Sequence, residues 1–89
     1  MHFVIAYDIE QDRRRSKVLS ALKDYGERVQ YSVFECDLDP ARLRALRERL
    51  EGLIDRKRDK LHIYPLCAAC YFRSESLGKD VPDRKHERF

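Results

Sequence analysis

An aspartate followed by a group of basic residues is the part of this sequence best suited to chemistry. Asp8 ends an apolar segment, and the basic residues that follow are Arg13, Arg14, Arg15 and Lys17. A carboxylate at the end of a strand can ligate a divalent cation such as Mg²⁺, and arginine binds phosphate through its fork of donors. The pattern is therefore compatible with metal-assisted hydrolysis of a phosphodiester. Asp8 could equally serve as a helix cap or a turn residue.

A second candidate for chemistry lies near the C-terminus. Cys67 and Cys70 have the C-x-x-C spacing of zinc ligands, but no second pair follows, and only Cys36 and His62 could complete a set of four. The alternatives are small apolar cysteines packed where a strand ends, an intersubunit site, or a redox pair. The histidines show no spacing typical of catalysis, and the sequence has no P-loop. Any hydrolysis would therefore depend on a metal.

The elements that must position Asp8 can be predicted from apolar periodicity. His2–Asp8 is apolar at nearly every residue, which indicates a central β-strand. Residues 12–25 have apolar side chains at helical spacing, with Asp12 placed as the N-cap and Gly26 just beyond the end. Residues 28–38 have β-type composition but are long for one strand, so a bulge, kink or tight turn should divide them.

The second half repeats the pattern of a helix followed by a strand. Asp39 and Pro40 mark a helix start, and a leucine-rich stripe predicts a helix to about residue 58. A strand follows at Lys60–Leu66, and a short extra strand is predicted at residues 70–73. The order is β-α-β-β-α-β, which predicts an α+β, ferredoxin-like fold: a four-stranded antiparallel sheet with two helices on one face. Because the open face would also be partly apolar, we expect a homodimer through that face.

Length and composition restrict the class of protein. The chain has 89 residues, 39% of them charged and 43% hydrophobic, with a net charge of +3. We predict one ferredoxin-like domain over residues 1–73 and a polar C-terminal tail over residues 74–89 that is disordered or ordered by a partner. The apolar runs are shorter than the ~20 residues of a membrane span, and the acidic residues near the N-terminus do not suit a signal peptide. These features predict a cytoplasmic protein without a membrane partner.

A second basic group occupies the predicted second helix and the residues after it. It comprises Arg42, Arg44, Arg47, Arg49, Arg56, Lys57 and Arg58. Such a group can bind nucleic acid. The acidic residues Glu48, Glu51 and Asp55 are interleaved with it, so it could instead be a solvated helix surface with local ion pairs.

Two segments resemble a known family. They are Tyr7-Asp8-Ile9, with Arg15 shortly after it, and the run Gly26-Glu27-Arg28-Val29-Gln30-Tyr31-Ser32-Val33-Phe34-Glu35-Cys36. They are similar to the CRISPR-associated endoribonuclease family, the second universal subunit of CRISPR adaptation, and the likeness covers residues 1 to about 66 in order and spacing. The resemblance implies a ferredoxin-like homodimer, often with a C-terminal strand that crosses to the other protomer's sheet.

The resemblance also implies roles for individual residues. Asp8 would be the catalytic and Mg²⁺-binding carboxylate, one from each protomer across a two-fold axis. Arg15 and Arg28 match family motif positions and would bind nucleic acid, whereas Arg13, Arg14 and Lys17 rest on charge and proximity alone. The resemblance also implies that Tyr7, Ser32 and Phe34 line the cleft of the dimer. Tyr7 and Phe34 could equally be core aromatic residues.

Three functions remain open on these grounds. The first is an adaptor that bridges dimers of the CRISPR integrase and holds protospacer DNA, so that it is required for spacer acquisition. The second is a metal-dependent endonuclease or endoribonuclease that cleaves RNA or duplex DNA with the Asp8 pair. The third is a ribonuclease of the toxin type, because small interferase toxins share this general fold.

Overall fold

The chain folds into a four-stranded antiparallel sheet covered by two long helices on one face. A computed structural model describes residues 1–73, 75 and 77. In chain order the elements are β1 (His2–Asp8), α1 (Asp12–Lys23), β2 (Gly26–Gln30), β3 (Val33–Asp37), α2 (Pro40–Glu51), β4 (Lys60–Leu66) and α3 (Ala68–Phe72). The strand order is β2-β3-β1-β4, so β1 is central. The predicted ferredoxin-like fold and the predicted central strand are both confirmed.

The two faces of the sheet differ in burial because strand side chains alternate. Phe3, Ile5 and Tyr7 of β1 are buried beneath the helices, together with Phe34 and Cys36 of β3. The residues between them face the opposite, open side and are only half-buried. From the helices, the core receives Val18, Ala21, Leu22, Leu46 and Leu50. The face away from the helices therefore keeps apolar surface that residues 1–73, 75 and 77 do not cover.

The first helix begins at Asp12, the residue that was predicted to be its cap. Gln11, not Asp12, is the N-cap, and its side chain accepts a hydrogen bond from the Arg14 amide at 2.9 Å. The helix ends at Lys23 rather than at residue 25, and Gly26 already belongs to β2. An ideal Cβ on Gly26 would lie 2.2 Å from the Glu35 carbonyl oxygen and 2.5 Å from the Cys36 Sγ. Gly26 is thus required by close packing against β3 and not by a helix end.

The hairpin after α1 confirms that residues 28–38 do not form one strand. The register between β2 and β3 shifts between Arg28 and Gln30, and a turn at Tyr31 and Ser32 separates the two strands. The bulge leaves Val29 as the extra residue of the bulged strand. It also changes which side chains of β2 face the helices.

The second helix starts as predicted and ends earlier. The Asp39 side chain caps it by accepting a bond from the Arg42 amide at 2.8 Å, and Pro40 is its first residue. The predicted end near residue 58 is wrong, because the helix closes at Gly52. Beyond it the Asp59 carboxylate accepts the Asp55 amide at 2.8 Å, which holds the following residues in turns.

The short strand predicted at residues 70–73 is replaced by helix α3. The Cys70 amide donates to the Cys67 Sγ at 3.3 Å, and the Arg73 amide donates to the Ala69 carbonyl at 3.1 Å. Two adjacent alanines also favour the helix. Apart from residues 75 and 77, the predicted tail over residues 74–89 lies outside the described residues. Within the described part of the chain, no helix has the length and apolarity needed to cross a membrane.

Candidate functional site

Asp8 occupies the last position of the central strand, with its side chain exposed. The strand holds its backbone, because residues preceding Asp8 are bonded to β3 on one side and β4 on the other. Residues 2, 4, 6 and 8 of β1 alternate with the buried ones, so Asp8 lies on the open side of the sheet. The sheet therefore holds the backbone of Asp8, while its carboxylate is open to a ligand.

Arg15 secures the loop that follows Asp8. One of its guanidinium nitrogens, Nη1, donates to the carbonyl of Ile9 at 2.9 Å and to that of Glu10 at 3.1 Å. Its Nη2 pairs with the Asp12 carboxylate. Ile9 is itself buried, so the chain is anchored directly after Asp8. Most of the N–H donors of the Arg15 guanidinium therefore hold this loop in position.

The β2–β3 hairpin brings further residues next to Asp8 and Arg15. The Tyr7 amide donates to the Ser32 carbonyl at 3.1 Å, which fixes the hairpin turn against the end of β1. Arg28 donates from Nε and Nη2 to the Tyr31 carbonyl at 3.0 and 2.8 Å. The guanidinium also lies over the Tyr31 ring, 5.2 Å from its centroid. The Nη1 donors of Arg28 therefore remain available to a ligand.

These side chains meet in one open cleft of about 450 Å³. Its lining includes Asp8, Arg15, Arg28 and Ser32, all predicted site residues, together with the edge of Tyr7. Burial raises the pKa of the Tyr7 hydroxyl, and the positive charges of Arg28 and Arg15 oppose that rise. Both guanidinium groups are therefore close enough to Tyr7 to influence its ionisation, and they line the cleft together with Asp8.

The two predicted cleft aromatics belong to the core. Phe34 is 0% exposed and Tyr7 5% exposed, and their rings pack with centroids 6.5 Å apart. Both point toward the helices, which is the alternative role considered for them from the sequence. Ser32, the third residue predicted for the dimer cleft, lies in the hairpin turn. It is half-buried and lines the cleft described here.

The basic residues of α1 separate into two groups. Arg14 donates from Nε and Nη2 to both carboxylate oxygens of Asp59, at 2.8 and 3.1 Å, and the Asp59 side chain is only 1% exposed. Hydrogen bonds from Arg14 and from the Asp55 amide lower the pKa of Asp59. Arg13 and Lys17 are exposed and lie outside the described set that lines the cleft. Arg14 therefore joins α1 to the residues before β4.

Asp59 and Lys60 contact or neighbour the site residues, and neither was predicted from the sequence. Lys60 is the cross-strand partner of Asp8, so the two side chains leave the same face of the sheet. An acidic residue directly before the fourth strand was the available signal for Asp59. It could not be assigned, because its partner Arg14 is 45 residues away in the chain.

No group of three or more histidine, cysteine, aspartate or glutamate side chains that could hold a metal ion occurs among residues 1–73, 75 and 77. The zinc set considered from the sequence is therefore not assembled there. Cys36 is buried in the core, whereas Cys67 and Cys70 are exposed. Asp8 can offer a cation one carboxylate from this chain. That number suits Mg²⁺, which is commonly held by one or two carboxylates plus waters and substrate phosphate.

Several members of the second basic group have partners, either nearby in the chain or just after α1. Arg49 pairs with Asp24 at 2.8 Å, and Arg56 pairs with Glu51 at 3.1 Å. Arg42 lies over the ring of Tyr25, 5.2 Å from its centroid. The pair between Arg56 and Glu51 fits the interpretation of this group as a solvated helix surface with local ion pairs. Arg49 and Arg42 instead contact the residues just after α1.

The fold and the cleft define a small ferredoxin-like protein with an exposed carboxylate among arginines at the end of its central strand. Residues 1–74 match the model of the family described as CRISPR associated protein Cas2. A protein of Chloroflexus aurantiacus, CRISPR-associated endoribonuclease Cas2 1, is 47% identical over 83 residues, which is 92% of this chain and 89% of that protein.

Solved structures agree with the family model. The crystal structure of Streptococcus pyogenes Cas2 at pH 6.5 matches with a TM-score of 0.80 and 36% identity, covering 88% of this chain and all (100%) of that one. A chain of a partial Cas6-RT-Cas1–Cas2 complex matches with a TM-score of 0.75 and 30% identity, covering 85% and 83%. This chain therefore belongs to the CRISPR associated protein Cas2 family.

Proposed function

We propose that this chain is a CRISPR adaptation subunit and a divalent-metal-dependent endonuclease, with Asp8 as its catalytic and metal-binding carboxylate. The observation that carries the proposal is the cleft itself, where exposed Asp8 lies beside Arg15 and Arg28. The curated relative from Chloroflexus aurantiacus is called an endoribonuclease, which supports the same activity.

The residues of the cleft suit a phosphodiester substrate. Arg28 would bind a phosphate through its remaining Nη1 donors, since Nε and Nη2 already hold the Tyr31 carbonyl. Arg15 and the buried Ile9 would keep the loop after Asp8 rigid while the substrate binds. Bound by Asp8, Mg²⁺ would neutralise charge on the phosphate and activate the attacking water. Groups that are held in place before the substrate binds favour catalysis, because they need no reorganisation during the reaction.

We propose that the active form is a homodimer joined through the open face of the sheet. Val4 and Val33 face that side and are half-buried, and Tyr64 is half exposed on the neighbouring strand. Burial of such surface against a second copy would remove it from water. The pairing would also bring two Asp8 carboxylates toward one site, which compensates for the single carboxylate that each chain offers.

A second function is an adaptor that binds nucleic acid and the CRISPR integrase without cleaving. A structural relative belongs to a complex whose name includes Cas1, which supports an assembly role. In that function the cleft arginines would contact protospacer DNA, and Asp8 would not be needed for chemistry. The two functions differ in what removal of one carboxylate does.

The deciding experiment is a cleavage assay on labelled single-stranded RNA and duplex DNA, with Mg²⁺ or with EDTA. Wild type is compared with Asp8→Asn and with Asp37→Asn, a matched control. Asp37 is also an exposed aspartate at a strand end, but it pairs in register with His2 at the opposite end of the sheet. Each protein is first checked for dimer mass and for its unfolding temperature.

Cleavage that is lost in EDTA and in Asp8→Asn, and kept in Asp37→Asn, would establish the nuclease. Cleavage that persists in Asp8→Asn would refute the role of Asp8. No cleavage by wild type, combined with nucleic-acid binding, would favour the adaptor.

A further inference from the structure

Cys67 and Cys70 form a side-chain pair that the proposed nuclease does not use. They flank the first turn of α3, directly after the edge strand β4. The Cys70 amide donates to the Cys67 Sγ at 3.3 Å. The turn therefore brings the backbone of Cys70 back to the Cys67 sulfur.

The packing role considered for these cysteines does not fit their surroundings. Both residues are exposed, whereas Cys36, the third cysteine of the chain, is buried in the core with 2% exposure. A cysteine that only fills apolar space should resemble Cys36. Oxidants in solution can reach Cys67 and Cys70, and they cannot reach Cys36 without opening the core.

We propose that Cys67 and Cys70 are a redox-active dithiol that closes to an intrachain disulfide and so fixes residues 67–70 in a helical turn. A disulfide requires Cα atoms about 4.4–6.8 Å apart. Residues three apart in a helix are about 5 Å apart, given the helical rise and radius. In an extended strand they are about 10 Å apart. The helical turn is thus compatible with the bond, and an extended continuation of β4 is not.

The reaction balances with a low-molecular-weight disulfide, such as glutathione disulfide, as the oxidant. The Cys67 thiolate attacks one sulfur of that disulfide, forms a mixed disulfide and releases one glutathione thiolate. The Cys70 thiolate then attacks the Cys67 sulfur, forms the intrachain bond and releases the second glutathione. The two cysteine protons end on the two glutathione thiolates, so two thiols are oxidised and one disulfide is reduced.

The acidity of the three thiols agrees with this order of attack. Hydrogen bonds from Cys70 lower the pKa of Cys67, while the bond to Cys67 raises the pKa of Cys70. Burial raises the pKa of Cys36 to about 11. Weighing thiolate fraction against intrinsic nucleophilicity, Cys67 should react at least about tenfold faster than Cys36 near neutral pH.

The test is equilibration of the full chain in glutathione buffers of increasing disulfide content, followed by acid quench, alkylation and mass spectrometry. The expected product is a single chain without an interchain disulfide, with one alkylated cysteine, Cys36, and a peptide-mapped bond between Cys67 and Cys70. Cys36→Ala should still form the bond between Cys67 and Cys70, while Cys67→Ser and Cys70→Ser should stop at mixed disulfides. The same titration in guanidinium chloride measures disulfide formation in the unfolded chain, where no turn holds the two cysteines. The equilibrium constant for forming the disulfide should be at least about tenfold larger in the folded chain.

Three results would overturn the proposal. One is equal closure in the folded and the denatured chain, which would mean that the turn does not organise the pair. Another is a disulfide found only between chains. The third is one zinc ion per two chains that protects the thiols from alkylation, which would make the pair part of an intersubunit metal site. None of these results depends on cleavage activity, so the nuclease proposal is tested separately.

Discussion

Replacement of Arg28 by alanine should change the salt dependence of nucleic-acid binding more than it changes the fold. Arg28 is exposed in the cleft, and two of its nitrogens hold the Tyr31 carbonyl. The Nη1 donors are left for a phosphate. Arg28 should therefore account for one phosphate contact per chain.

The size of the effect follows from counterion release. Each phosphate contact on a single strand adds about 0.7 to the negative slope of log K against log salt. Between about 50 and 200 mM salt, that is roughly a 2.6-fold change in affinity per contact. A dimer that uses both copies on one strand would show a slope change of about 1.4, or roughly sevenfold.

The assay is fluorescence anisotropy with a short single-stranded RNA, measured without divalent metal at several salt concentrations. The matched control is Arg44→Ala, because Arg44 is exposed on α2 and is outside the described cleft lining. The slope should become shallower for Arg28→Ala and stay unchanged for Arg44→Ala. Equal slopes for Arg28→Ala and wild type, or equal losses in both variants, would refute the reasoning.

Three further predictions concern stability. Leu46→Ala, at a position 0% exposed, should lower the free energy of unfolding by about 2–5 kcal/mol in urea titrations, whereas Leu77→Ala, at 89% exposure, should change it by less than about 0.5 kcal/mol. Because the folded state lowers the pKa of Asp59, its contribution is present above the unfolded pKa of about 3.9 and is lost as pH falls through the folded pKa. Asp59→Asn should therefore be less stable than wild type at pH 7 and lose less stability on acidification, as measured by thermal denaturation from about pH 6 to 2. Gly26→Ala should lower the unfolding temperature, because its Cβ would meet the Glu35 carbonyl; an unchanged temperature would contradict that contact.

The elements with local signals could be predicted from the sequence. Asp39 and Pro40 fix the start of α2 by a side-chain cap and a preset backbone angle, and the structure shows both. The central strand could be predicted because its composition is apolar throughout. In contrast, the end of α2 was predicted too late: the helix closes at Gly52, and in the turns beyond it the Asp59 carboxylate accepts a hydrogen bond from the Asp55 amide. A bond of that kind leaves no periodic signal.

Side-chain direction was harder to predict than secondary structure. Phe34 follows a bulge and a turn, and each of these can reverse which residues of a strand face the core. Asp8 was predictable because it ends an uninterrupted strand. The cleft around it was not, because the Ser32 carbonyl reaches the Tyr7 amide only after the hairpin folds back.

The run of basic residues after β1 contributes less positive charge to ligand binding than its sequence implies. Arg14 is paired with a buried carboxylate, and Arg15 holds two loop carbonyls and Asp12. These contacts fasten the first turn of α1 on both sides, and the backbone after Asp8 is immobilised as a result. Arg14 and Arg15 therefore hold the segment that follows Asp8. Phosphate binding in the cleft depends mainly on Arg28, which belongs to β2 and whose Nη1 is not used by the Tyr31 carbonyl.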